Sequence, residues 1–568
     1  MMRIAIAQID PVVGNFDLNV SKIKTAYERA CFSRARLLLT PELSVSGYPP
    51  HDLVDRPEIF ERNEKALKQI IEFTRGKSCA LIVGTISKNP ASTGRSALNL
   101  MNVIEDGKVV FTQAKSLLPT YDVFDESRYF EPASKVAILS HFGFKIAPAI
   151  CEDLWAQDPT FGRELYGQRD PVPHYCSEGA DLIISTSASP YMWGKNKHRE
   201  EVHAAVARQV GAPMIYLNQV GATDEIMFDG GSFAIDKEGK LVGRLPFFQT
   251  SFALIDFDEK TKSLKWIEPG PEGREDKLPS DMEILHRALV DGIREYFKRT
   301  GFKTAILGLS GGIDSAVVAV LTAEALGAKS VLGVAMPSQH SSSHSLSDAE
   351  ALAVNLGCGY EVRPIKFMYA TMARELSERR GELASIAQEN LQSRLRGLIL
   401  MTLSNHYSAL VLTTGNKSEL ATGYGTLYGD MAGALAPIGD VLKTRVYELA
   451  RFINEKAEKE GKTPPIPNNT IIKAPSAELK PDQTDQDTLP PYEHLDALLA
   501  DYIERGVSVA DLEAKYASLL PSKDWVREIL RKIEINEFKR RQAAPVLKIS
   551  AKAFGIGRRI PIAKFWDR

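Results

Sequence analysis

The octapeptide GLSGGIDS, residues 308–315, joins an apolar run (TAILGLS, 304–310) to a helical pattern (SAVVAVLTAEALG, 315–327). A glycine-rich turn from strand into helix makes a phosphate cradle, because backbone N–H groups and the helix N-terminus point at the anion. Gly308, Leu309, Ser310, Gly311, Gly312 and Ile313 supply the turn, and Ser315 adds a hydroxyl at the helix start. The lysine of the common nucleotide-triphosphate loop is missing, and the motif closes instead on Asp314 and Ser315. An acid beside phosphates repels them unless a cation intervenes. Mg²⁺ takes one or two carboxylates together with substrate phosphates, which makes Asp314 the candidate metal ligand. Other reactive side chains stand at the ends of apolar runs in the first half of the chain: Glu42, Cys151, Ser187 and Ser189. A rigid scaffold aims such strand-end groups into a crevice.

The elements that must hold these groups are α/β throughout. Candidate strands are RIAIAQI (3–9), RLLLTPE (36–42), ALIVGTI (80–86), FKIAPAI (144–150), DLIISTS (181–187) and MIYLNQV (214–220), with helices between them. Between about 258 and 280 the composition turns to dense charge with Pro and Gly, the pattern of a connection, and 261–282 reads as a linker. Two domains are expected, 1–260 and 283–568. The second alternates strand 304–310, helix 315–327, strand 331–337, helix 347–357 and strand 361–365. A long helix over 385–405 and a strand at 409–415 follow. Such alternation predicts a doubly wound, Rossmann-like parallel sheet with ligands at the carboxyl ends of its strands. SQHSSSHS (338–345) and the Pro-rich, polar stretch 463–496 read as active-site loops.

Composition excludes several classes. Hydrophobic content of 44% and charged content of 25% over 568 residues fit ordinary globular domains with sizeable cores. A net charge of -2 gives no global pull toward nucleic acid or an anionic membrane, in spite of the clusters EFKRRQ (537–542) and GIGRRIP (555–561). The five cysteines, Cys31, Cys79, Cys151, Cys176 and Cys358, are odd in number and scattered, which argues against a disulfide framework and for a reducing, cytoplasmic setting. No apolar run reaches the roughly 18 residues a membrane span needs, and the N-terminus has no signal-peptide pattern.

SGGIDS resembles the SGGxDS pyrophosphate motif of the ATP pyrophosphatase family. The resemblance implies cleavage of ATP between the α and β phosphates, adenylation of an acceptor, and displacement of AMP by a nucleophile. TPELSVSGYPP (40–50), KSLLPTYDVFDESRYF (115–130) and APAICEDLW (147–155) resemble the three signature stretches of the nitrilase, or carbon–nitrogen hydrolase, superfamily. That resemblance implies an α-β-β-α sandwich and a Glu–Lys–Cys triad at Glu42, Lys115 and Cys151. Each of these residues alone is ordinary; three stretches in order are not. By the family's chemistry Glu42 would take the thiol proton, and Lys115 and the N–H after Cys151 would stabilise the tetrahedral intermediate. Tyr121, Ser189 and Lys195 match glutamine contacts, and Glu126 would support the triad. Thr120 departs from the asparagine expected before that tyrosine.

An amidase joined to an AMP-forming ligase makes ammonia in one half and uses it in the other. The whole chain resembles the family of glutamine-dependent NAD synthetases, through ENLQSRLRG (389–397), LTTGNKSELATGYGTLYGD (412–430), KTRVYELA (443–450), 475–496 and 536–550. The resemblance implies ATP contacts at 308–315 and Thr414. It also implies deamido-NAD contacts at Asn390, Glu419, Tyr424, Gly425, Thr426, Leu427 and Lys539, with Arg394 one turn beyond Asn390. A homo-oligomer, a protein-enclosed path for ammonia, and small-molecule partners only are further expectations. The readings left open are another glutamine-dependent AMP-forming ligase with a different acceptor, a tRNA-modifying enzyme sharing the SGGxDS loop, and an amidase with a degenerate nucleotide-binding domain.

Overall fold

The computed structural model describes residues 1–158, 166, 169–269, 273–377, 381–476, 478–480, 484–519 and 523–565. The chain divides into two units, Met1–Pro279 and Ser280–Arg568.

In the first unit a seven-stranded sheet runs in the order Ser263–Pro269, Ser251–Asp258, Met2–Gln8, Leu37–Leu39, Ala80–Lys88, Ala97–Glu105 and Lys108–Ala114. A five-stranded sheet runs Leu241–Arg244, Phe233–Ile235, Met214–Asn218, Leu182–Ser187 and Ile146–Ile150. The period-two alternation of strands sorts their side chains between layers. Ile4 and Ile6 pack with Ile82, Ile184 and Ile215 between the sheets, while Ala5 and Ala7 pack with Val20, Ile23, Ile59 and Ile70 of the helices Phe16–Phe32 and Pro57–Thr74. On the other side Ile183 and Met214 pack against Tyr175, Val206 and Ala207. The result is the expected α-β-β-α sandwich.

Two strands are shaped by proline. The segment 36–42 pairs only over Leu37–Leu39, because Pro41 lacks the N–H a ladder needs, and the freed chain turns to carry Glu42. Pro148 is tolerated in Ile146–Ile150 because that strand is an edge of its sheet. Part of the segment that reads as a linker, Ser263–Pro269, forms an edge strand paired with Ser251–Asp258. Its apolar positions Leu264 and Trp266 are buried while the intervening Lys265 obscures the pattern.

The second unit is built on a four-stranded parallel sheet ordered Gly359–Val362, Val331–Ala335, Ala305–Gly308 and Leu410–Leu412. The helices Asp281–Thr300, Ile313–Leu326, Ser343–Leu356, Ser385–Tyr407 and Lys443–Lys459 follow the expected doubly wound pattern. Ile306, Val334 and Leu395 form one apolar layer of this unit. The stretch 463–496 is less loop-like than its polarity predicts. It contains helices Asn468–Ile472 and the start of Tyr492–Leu499, and Leu489, Tyr492 and Leu495 anchor it in an apolar cluster. Ala477 and 481–483 of that stretch lie outside the described residues. Among the described residues no helix is long and apolar enough to cross a membrane.

Candidate active sites

Glu42, Lys115 and Cys151 meet in the first unit. Lys115 follows Lys108–Ala114 and is 1% exposed; its Nζ donates to Glu42 Oε1 and to Glu126 Oε1, each at 2.8 Å. Asn99 Nδ2 donates to Glu42 Oε1 at 2.8 Å, and the Ala188 N–H donates to Oε2 at 3.0 Å. Glu42 is thus locked on both oxygens. The turn that carries it passes so close to Gly84 that a Cβ there would lie 2.2 Å from the Leu43 nitrogen. Burial disfavours the Lys115 ammonium, but the charges of Glu126 and Glu42 outweigh it and raise its pKa well above the lysine range. Burial lifts Glu126 to about 7 against the pull of Lys115; Tyr48 donates to the same carboxylate at 2.8 Å.

Cys151 sits where Ile146–Ile150 turns into the single helical turn Cys151–Leu154, with a left-handed φ of 47°. A non-glycine residue persists there only when its surroundings impose it, and such strain concentrates at functional sites. Burial, and then the Glu42 charge, hold the thiol protonated above its usual range, with Lys115 opposing them. The resting group is therefore a thiol beside a fixed carboxylate.

Around it, Tyr121 and Tyr166 donate to Glu152 Oε1 at 3.0 and 2.6 Å. Lys195 Nζ donates to Ser189 Oγ at 3.1 Å and faces the Trp155 ring at 5.4 Å. Burial, aided by Arg199, lowers Lys195 to about 8. The three expected glutamine contacts are thus joined by residues that sequence reasoning missed. Arg199 pairs with Asp229 at 3.0 Å, and Asn218 bonds both Ser189 and Asp229. A buried arginine and aspartate carry no mark of burial in a single sequence. Cys31, Cys79, Cys176 and Cys358 are free thiols outside this cluster.

In the second unit a cavity of about 530 Å³ opens at the carboxyl end of the sheet. Of the expected nucleotide and acceptor contacts it is lined by Gly308, Leu309, Ser310, Gly312, Ile313, Asp314, Ser315, Asn390, Thr414, Glu419, Tyr424, Gly425, Thr426 and Lys539. Gly311 does not line it. Its φ is 76°, and a Cβ there would meet the Ser345 carbonyl oxygen at 2.2 Å, so this glycine lets the turn dock under the helix Ser343–Leu356. Leu427 also points elsewhere: its side chain packs on the apolar cluster and its carbonyl accepts from Arg394 at 3.2 Å. Arg394 therefore braces the loop, while Arg396 lines the cavity.

The loop is pre-shaped. Ser310 Oγ accepts the Gly312 N–H at 3.2 Å and lies 3.2 Å from Ser315 Oγ. Thr426 Oγ1 donates to Asn390 Oδ1 at 2.8 Å, and Lys539 Nζ holds the carbonyls of Gly423 and Gly425 at 2.8 and 2.9 Å. Both stretches expected as active-site loops reach the cavity: 338–345, whose last three residues already belong to the helix Ser343–Leu356, through Ser341 and Ser345, and 463–496 through Lys473, Glu478 and Asp485.

Lys443 is the main residue missed here. It bonds Asp314 and lies 3.3 Å from Glu419 Oε1. It opens the helix Lys443–Lys459, where a cation runs against the helix dipole; that misplacement was the available signal. Burial raises Glu419 to about 8 in spite of Lys443. Among the described residues no group of three or more His, Cys, Asp or Glu is placed to hold a metal. Asp314 and Glu419, converging on one ammonium, are the hard oxygen donors that suit Mg²⁺ when phosphates supply further ligands.

These units define a nitrilase-type amidase joined to a Rossmann-like nucleotide-binding unit with an SGGxDS loop. The carbon–nitrogen hydrolase family matches residues 3–265 and the NAD synthase family residues 285–543. The glutamine-dependent NAD(+) synthetase of Synechocystis sp. is 43% identical, covering 99% of both chains, and that of Thermotoga maritima 39%, covering 99% of this chain and 98% of its own. A solved glutamine-dependent NAD(+) synthetase from Acinetobacter baumannii, in complex with ADP, aligns over 99% of this chain and 98% of its own, with TM-score 0.76 and 35% identity. The chain belongs to the glutamine-dependent NAD(+) synthetase family.

Proposed function

We propose that the first unit hydrolyses glutamine through Cys151 and that the second uses the ammonia to convert deamido-NAD into NAD, with ATP giving AMP and pyrophosphate. The observation that carries the reading is the pairing, in a chain of this family, of a locked Glu42–Lys115 pair beside a strained cysteine with an SGGIDS loop at the floor of a large cavity. Ser189 and Lys195 hold the amino-acid end of glutamine, and Tyr121 flanks it. Cys151 Sγ attacks the side-chain amide carbon as its proton passes to Glu42, whose oxygens are held and need no reorganisation. Lys115 meets the negative charge that develops on the amide oxygen, and the Glu152 N–H adds to it. Ammonia leaves with the proton returned through Glu42, and water activated by the same carboxylate then releases glutamate from the thioester.

In the second unit the nicotinate carboxylate of deamido-NAD attacks the α-phosphorus of ATP, and pyrophosphate departs into the 308–315 turn. Thr414 contacts ATP; Asn390, Glu419, the 424–427 loop and Lys539 orient the acceptor. Ammonia displaces AMP from the mixed anhydride. Mg²⁺, held by Asp314 and by Glu419 when ionised, would neutralise charge on the phosphates. The free, scattered cysteines suit the cytoplasmic setting we propose; a homo-oligomer acting on small molecules only belongs to the same proposal.

The test is NAD formation from deamido-NAD, ATP and Mg²⁺ with glutamine or ammonium, for wild type and Cys151→Ala. The variant should lose the glutamine reaction and keep the ammonium one. Wild type that hydrolyses glutamine yet makes no NAD from either nitrogen source would overturn the acceptor.

A further inference from the structure

Among the described residues the seven- and five-stranded sheets of the first unit share no ladder. Lys108–Ala114 is the last strand of one and Ile146–Ile150 the last of the other. Lys115 follows the first of these edge strands and Cys151 the second, so no strand pairing sets where the ammonium stands relative to the thiol. Glu42 crosses the seam to the Ala188 N–H, and one further carboxylate ties the backbone beside Lys115 to the backbone beside Cys151. Asp153 Oδ1 accepts the N–H groups of Ser116 at 2.9 Å and Leu117 at 2.8 Å, immediately after Lys115. Its Oδ2 accepts the N–H of Ile150 at 3.0 Å, immediately before Cys151.

We propose that Asp153 is a positioning residue for glutamine hydrolysis, a single carboxylate that fixes Lys115 against Cys151 across the seam between the sheets. The inference rests on the glutamine-hydrolysing reading of this unit. The geometry asks for a carboxylate specifically. Three converging N–H donors need two oxygens that only accept, and the side chain is 1% exposed, so water cannot substitute. Asparagine has one oxygen and would turn an NH₂ toward an N–H. Burial raises the Asp153 carboxyl to about 7, opposed by those same N–H groups and by Lys115. The fold thus keeps an acid where an apolar side chain would pack without desolvation cost.

Loss of the clamp lets Lys115 slip relative to the reacting carbon. Displacement of a catalytic group by about 1 Å costs on the order of 10²-fold in rate. The residue that holds the amino-acid end of glutamine is fixed independently: Ser189 is bonded by Asn218 from a neighbouring strand. The expected signature is a fall in kcat without a rise in KM, as when an interaction made in the transition state is removed.

The experiment takes full-length wild type, Asp153→Asn and Asp153→Ala. It measures glutamine hydrolysis, ammonium-driven NAD formation, calorimetric unfolding, and the pH dependence of Cys151 alkylation by iodoacetamide. The expected result is a glutaminase kcat lower by about 10- to 100-fold in the asparagine variant and further in the alanine variant. KM and the ammonium reaction should stay within about twofold, and the alkylation midpoint should move to higher pH as Lys115 retreats. A kcat within twofold of wild type in both variants overturns the proposal. So does a loss that only tracks the unfolded fraction in both, which assigns Asp153 to stability alone. Wild type that releases no ammonia from glutamine removes the underlying reading instead.

Discussion

Replacing Lys115 with alanine should cost stability as well as activity, and the cost should depend on pH in a defined sense. Lys115 lies 2.8 Å from both Glu42 and Glu126. All three are buried. Removing the shared cation leaves two carboxylates together in a dry site, and breaking a buried pair this way costs about 3–5 kcal/mol. At roughly 2 °C per kcal/mol for a unit of this size, the calorimetric transition of Met1–Pro279 should fall by about 6–10 °C at pH 8. Glu126 already titrates at about 7 with Lys115 present, and losing that charge moves it higher. A carboxyl whose folded pKa exceeds its unfolded value binds more protons when folded, so stability falls as pH rises through that window. The gap to wild type should therefore be smaller at pH 5.5 than at pH 8. Lys115→Ala with Glu126→Gln should regain part of the lost stability at pH 8 while glutamine hydrolysis remains absent. A shift under 2 °C at pH 8, an equal shift at both pH values, or a double variant no better than the single one would refute the reasoning.

Other outcomes follow from the same geometry. Lys195, lowered to about 8, should lose its grip on the glutamine carboxylate as it deprotonates. KM for glutamine should rise between pH 7.5 and 9 while ammonium-driven synthesis shows no matching effect, and a flat KM would remove Lys195 from binding. Lys443→Met should strip the phosphate side of its ammonium and lower ammonium-driven synthesis by about 10²-fold or more, leaving glutamine hydrolysis by the other unit intact. Equal losses in both half-reactions would contradict that separation.

The parallel-paired strands of the sheets were legible because they are apolar runs bounded by turn residues, and SGGIDS was legible because glycine and hydroxyl spacing is itself the cradle. What escaped reading has a common physical character. Lys108–Ala114 and Ser263–Pro269 are edge strands whose polar and charged positions resemble those of a loop, and Ala97–Glu105, paired beside the edge, interrupts its apolar run with two asparagines. Arg199, Asp229, Asp153 and Lys443 are charged residues whose burial is decided by distant segments. Arg199 meets Asp229 across 30 residues, and Lys443 meets Asp314 across 129. Local composition cannot distinguish them from a solvated surface, whereas resemblance to a family finds only the residues its motifs record.

Both units place a buried lysine between two carboxylates, and the surroundings give the same arrangement opposite tasks. At Lys115 burial, and then the Glu42 charge, keep the Cys151 thiol protonated, so on the proposed mechanism proton transfer to Glu42 accompanies attack. Glu42, bonded by Lys115, Asn99 and the Ala188 N–H, is a fixed acceptor for that proton. At Lys443 the same arrangement faces a substrate that is itself anionic. Its charge is divided between Asp314 and Glu419 before any phosphate enters, so the first attraction for phosphate must come from the backbone of the Ser310–Gly312 turn and the start of helix Ile313–Leu326. The pH decides how that charge is divided: burial raises Glu419 to about 8, so below that value Asp314 carries most of the pairing with Lys443 and above it Glu419 shares it. Glutamine-independent synthesis should therefore change with pH through this window while glutamine hydrolysis by the first unit does not follow it.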